Sequence, residues 1–75
     1  MNKEFNGHKN WNHWNVSLWL TNDETAYRKA KFYLRIYPKN KAAEKLLEWL
    51  GGAGATTPDG APYSVSSIRA AMRDI

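Results

Sequence analysis

Asn10-Trp11-Asn12-His13-Trp14-Asn15-Val16-Ser17-Leu18-Trp19-Leu20-Thr21-Asn22-Asp23-Glu24 is the stretch whose reading decides the fold, and it holds three of the four tryptophans. Its periodicity fits two structures. Trp14, Val16, Leu18 and Leu20 alternate with Asn15, Ser17 and Trp19, as along a strand. Trp11, Trp14 and Leu18 also fall at i, i+3 and i+7, as along a helix. Helix is the better reading, because no second convincing strand exists to satisfy the backbone of the first. Val16, Trp19 and Leu20 on the other side make such a helix apolar nearly all round, the pattern of a buried central helix. The indoles are therefore expected inside, where each buried aromatic removes roughly 150–250 Å² from water.

Working outward, Thr21-Asn22-Asp23-Glu24 reads as a capping box with Thr21 as the N-cap and Glu24 reaching back to it. The helix it opens should run to about Ile36 and stop before Pro38. Ala26, Tyr27, Ala30, Tyr33, Leu34 and Tyr37 supply its apolar side. Arg28, Lys31 and Arg35 form a basic stripe opposite, with Lys39 just beyond and Lys41 nearby. Asn40 is the expected cap of a third helix, whose stripe is Ala43, Leu46, Leu47 and Leu50. Lys41 with Glu44, and Lys45 with Glu48, are neighbours on its solvated side. Trp49 lies off the stripe, and Gly51-Gly52 ends the helix.

Residues 51–62 read as the one loop of any length, a Gly/Pro segment with a turn at Thr57-Pro58-Asp59-Gly60. Ser64 or Ser66 then caps a last helix, with Ile68, Ala71, Met72 and Ile75 on one side and Arg69 and Arg73 on another. Residues 1–9 read as a loose arm that Phe5 pins to the body. The expected fold is all-α: a compact single-domain bundle of about four short helices.

The 75 residues suffice for one small core and no second. There is no cysteine, hence no disulfide and no thiolate metal site. No apolar run approaches the ~20 residues that span a bilayer, and the polar start lacks the apolar stretch of a signal peptide. No membrane association is expected, and the chain should stay where it is made. Eleven basic against seven acidic residues give a formal charge of +4, a mild bias toward anionic partners.

Enzyme chemistry finds no support. His8 and His13 are five apart rather than at the i, i+4 spacing of a helical metal pair. No serine sits in a glycine-flanked elbow, and Gly51 to Gly54 lacks the lysine and hydroxyl residue of a phosphate loop. Asp23 and Glu24 are accounted for by the helix start. No catalytic residue, metal or cofactor is expected.

Asn10-Trp11, Trp14-Asn15-Val16, Leu18-Trp19, Asn22-Asp23-Glu24 and Tyr27 resemble a family of small bacteriophage-encoded proteins of unassigned function. Those proteins open with a Gly-x-x-Asn-aromatic-x-x-Trp-Asn-Val segment, here Gly7 to Val16, and many carry a Thr-Pro-Asp-Gly-type turn, here Thr57 to Gly60. His8 and the basic pair Arg69 and Arg73 depart from the family's pattern. The resemblance implies a phage origin and a place in the cytoplasm of an infected host cell. It carries no activity over to this chain.

The functional expectation is thus a non-enzymatic accessory protein that binds a host or phage macromolecule, a protein in the first reading, with a host-modulating or inhibitor role. The contact residues expected are Arg28, Lys31, Arg35, Lys39 and Trp49. The alternative is a small nucleic-acid-binding protein using the same basic helix face with little sequence specificity. Oligomeric state is open at this level.

Overall fold

The computed structural model describes residues 7–73 and Ile75. The expected arm over residues 1–9, with Phe5 as its anchor, lies outside the described residues except for 7–9. Among the described residues the chain forms four α-helices and no strand: α1 (Trp11–Asn22), α2 (Glu24–Ile36), α3 (Lys39–Leu50) and α4 (Val65–Met72). α4 packs most extensively on α1 and then on α3; α2 packs on α3 and on α1. The four thus close a ring in which α2 and α4 stand diagonally, without substantial contact between them.

Each helix has a local cause. Asn10 caps α1, its side chain accepting the His13 amide N–H at 3.0 Å. α1 does not stop at Leu20, and Thr21 is not the cap of α2. Thr21 lies in the last turn of α1, where its hydroxyl donates to the Ser17 carbonyl at 2.8 Å, a back-bond common for threonine inside a helix. Asp23 does both jobs at the junction. Its N–H donates to the Trp19 carbonyl and so closes α1, while its carboxylate accepts the Thr25 and Ala26 N–H groups and opens α2. Glu24 turns to Arg28 instead of reaching back.

α3 begins at Lys39, two residues earlier than an Asn40 cap would place it. Its N-cap is Pro38, which provides no side-chain acceptor. Gly51 and Gly52 end it as expected, both at positive φ, with the Gly52 N–H returning to the Leu47 carbonyl at 2.8 Å. Ser64 caps α4 in a reciprocal box with Ser67. Lys41 meets Glu44 at 3.8 Å, whereas Lys45 leaves Glu48 to sit over the Tyr37 ring.

The sealed core is aliphatic. Val16, Leu20, Leu46 and Ile68 are its large members, and Ala26, Ala30, Ala42, Ala43, Ala61 and Ala71 line the helix contacts. The expectation of indoles inside is overturned. Trp14 and Trp19 are half-buried, and Trp11 is 40% exposed. The alanine-lined contacts bring the backbones close and leave no slot the size of an indole. The rings instead cover the margins of α1, where an indole N–H can reach a polar partner.

The 51–62 segment is no slack loop. Thr56 and Pro62 form an isolated antiparallel bridge, and Thr57 pairs with Ala61 across the turn. Gly60, at φ 95°, donates to the Thr57 carbonyl at 2.8 Å and closes it. This turn is bolted to α1. The Asn15 amide and the Trp19 indole N–H both donate to Asp59 Oδ2, each at 2.9 Å. The Thr57 hydroxyl donates to Asn15 Oδ1 at 2.6 Å and accepts the Ala61 N–H at 3.1 Å. Asn15 and Thr57 are both buried, so the bonds they make offset desolvated polar groups, while the Trp19–Asp59 bond lies at the exposed margin.

Leu46→Ala should cost ~2–5 kcal/mol by leaving a cavity in the sealed core, and chemical denaturation should show a clearly smaller loss for Trp14→Ala. The Asp59 carboxyl is held below its ordinary value by the bonds from Asn15 and then Trp19. Its stabilisation is therefore present above pH 3.8 and lost as pH falls through the lowered native value. Thermal melts should show this acid loss in the parent and its absence in Asp59→Asn. Asn15→Ala should cost ~1–3 kcal/mol by leaving the buried Thr57 hydroxyl without its acceptor.

Candidate functional surfaces

The outer side of α2 carries two parallel strips. Helical spacing places Arg28, Lys31 and Arg35 on one, and all three are exposed. Arg28 pairs with Glu24 in an i, i+4 contact exposed on both sides, while the Lys31 ammonium lies 5.3 Å from the Tyr27 ring centroid. Beside the cations run Phe32 and Ile36, one turn apart, which are 49% and 55% exposed.

Lys29 joins this side to α3, because its ammonium lies 5.6 Å from the Phe32 ring, 5.2 Å from the Tyr33 ring and 6.0 Å from the Trp49 ring. Trp49, 41% exposed, therefore belongs to the same surface as Phe32. The structure brings Arg28, Lys31, Arg35 and Trp49 into one neighbourhood. Phe32 and Ile36 are what the sequence reading missed. A basic–apolar alternation within α2 was visible, but only the placement of α3 shows which apolar residues stay uncovered.

Lys39 parts from the stripe. It opens α3 and lines a separate groove of about 610 Å³, with Asn40 beside it and Val65, Ser66, Arg69, Ala70 and Arg73 across on α4. Among the described residues no carboxylate lies within ion-pair distance of Lys39, Arg69 or Arg73. Three cations thus share one open groove. At its edge His13 Nε2 lies 3.3 Å from Ser66 Oγ, and the Arg73 guanidinium lies 3.4 Å from His8 Nδ1. Partial burial lowers the His13 pKa from 6.5, and the charges of Lys9, His8 and Arg73 lower it further.

No group of three or more His, Cys, Asp or Glu that could hold a metal ion occurs among the described residues, and none of the described helices is long and apolar enough to cross a membrane.

Compared with known families, the whole chain, residues 1–75, matches a family of unknown function, DUF7249. The chain belongs to that family. No curated protein and no solved structure matches it. The family therefore brings no assigned chemistry, and the two surfaces have to be read on their own geometry.

The His13 environment gives a direct test. An NMR titration of the His13 ring should give a midpoint below 6.5, and Lys9→Gln should move that midpoint upward. A depressed histidine pKa means that the unfolded chain binds the proton first. Stability should therefore be full above pH 6.5 and decline as pH falls through the native value.

Proposed function

We propose that this chain is a small non-enzymatic bacteriophage accessory protein that docks onto a host or phage protein through the outer side of α2. The observation that carries the reading is the uncovered apolar strip Phe32–Ile36, continuous with Trp49 through Lys29 and flanked by Arg28, Lys31 and Arg35. Large apolar side chains left open beside a charged border are the anatomy of a protein interface: an apolar centre with a polar rim. Aromatic and arginine side chains supply most of the binding energy in such contacts.

The partner this surface suits has an apolar pocket bordered by carboxylates. Ile36 argues against phosphate tracking on this face, since an exposed aliphatic side chain gains nothing from a sugar–phosphate backbone. The exposed Glu24–Arg28 pair is worth little where it stands and gives way readily to a partner's carboxylate. The phage setting, in the cytoplasm of an infected cell, is supported by the likeness of Gly7 to Tyr27 to small phage-encoded proteins.

The test is affinity capture from infected and uninfected host extracts, with paired variants. A specific protein should be retained by the parent and weakened at least about tenfold, ~1.4 kcal/mol, by Phe32→Asp with Ile36→Asp and also by Arg28→Glu with Arg35→Glu. Both variants should melt like the parent, because none of these side chains is buried. Capture of nothing, or of a protein indifferent to both variants, overturns the reading.

A further inference from the structure

We propose that the groove between the start of α3 and α4 binds the phosphate backbone of double-stranded nucleic acid, with Lys39, Arg69 and Arg73 as its cationic contacts. This surface is separate from the α2 docking strip and takes a different class of partner.

Three positive side chains line one groove with no carboxylate among its lining residues. Like charges sharing one groove repel one another, and a bound polyanion offsets that repulsion. Ser66, Arg69, Ala70 and Arg73 fall at i, i+3, i+4 and i+7, so α4 presents one continuous side to the groove. Arg69 and Arg73 are four residues apart, ~6 Å along the helix axis at ~1.5 Å per residue, which is on the order of the step between successive phosphates of one strand.

Polar groups continue beyond the groove: Ser66 leads to His13 and Arg73 leads to His8, with the Lys9 charge near enough to act on His13. An elongated line of donors suits a polyanion better than a single phosphate group. Ser66 and Asn40 add neutral donors of the kind that contact phosphate oxygens. α3 is also the helix whose first turn has no side-chain cap, and its first residues, Lys39 and Asn40, line the groove.

The lining also narrows the ligand. Val65 and Ala70 are its only apolar members, too small to anchor a protein side chain, and no aromatic ring is present on which an unpaired base would stack. That leaves backbone contact with a duplex, largely independent of base sequence.

The experiment is fluorescence anisotropy with a labelled random-sequence DNA duplex and the full-length protein, titrated over a salt series. Binding should appear at low salt, and log affinity should fall against log salt with a slope of about −3, from three phosphate contacts at ~0.9 each. Arg69→Glu with Arg73→Glu should weaken binding at least about tenfold and bring the slope toward about −1. Arg28→Glu with Arg35→Glu should leave both unchanged, which separates this site from the α2 surface.

Circular-dichroism melts precede each titration. If the double reversal does not fold, Arg69→Gln and Lys39→Gln decide instead, each expected to reduce the slope by about one. The proposal is overturned by the absence of duplex binding at low salt, or by binding that ignores the α4 variants. It is equally overturned if a single-stranded oligonucleotide, a poly-glutamate peptide or phosphatidylserine-containing vesicles are bound in clear preference to the duplex.

Discussion

The buried hydrogen bond from Thr57 to Asn15, flanked at the surface by Asp59 Oδ2 receiving the Asn15 amide and the Trp19 indole, is the directional constraint that joins the α3–α4 connection to α1. The hydrophobic stripes of four short helices are compatible with several mutual arrangements, since apolar burial has no direction. The polar set formed by Asn15, Trp19, Thr57 and Asp59 does have direction. It fixes the connection between α3 and α4 against one side of α1 and thereby sets where α4 enters. Buried asparagine is tolerated because its oxygen and one of its amide hydrogens are engaged, and among the described residues no buried side-chain polar atom lacks a partner. The Trp-Asn-Val and Thr-Pro-Asp-Gly segments, far apart in the chain, are two halves of one joint.

Much of the fold was legible in the sequence. Helix type and number followed from periodicity, and the ends at Pro38 and Gly51 followed from backbone chemistry that needs no tertiary information. A serine cap, Ser64 or Ser66, was legible for the same local reason, and the fold uses Ser64. The errors arose where a residue's neighbour in space decides its role. Thr21 satisfies a capping pattern on paper, but α1 ran on through it, and Asp23 inherited the position. The indoles of α1 counted as core by hydrophobicity, yet close alanine contacts excluded them and Asp59 gave Trp19 a place at the margin. The 51–62 segment looked slack by composition because nothing local announces that Asn15 awaits it.

The surfaces divide in the same way. Arg28, Lys31 and Arg35 were visible as a stripe from spacing within one helix, and Trp49 stood out by lying off its stripe. That Lys39 belongs with Arg69 and Arg73 instead depends on α3 meeting α4, a tertiary fact. The +4 charge is thus distributed over two sides of the ring rather than gathered on one. With α2 and α4 at opposite corners, the two surfaces share no residue.

The joint between α1 and the turn closes over a long interval of chain: 42 residues separate Asn15 from Thr57, and 44 separate Asn15 from Asp59. A ribosome adding ~5–20 residues per second needs on the order of a few seconds to cover that distance. Throughout it, the nascent α1 emerges with its asparagine unmatched and its tryptophan-rich flank uncovered. Closure of the native body therefore waits for the turn to emerge, and chaperones that recognise exposed aromatics have a window in which to meet this chain.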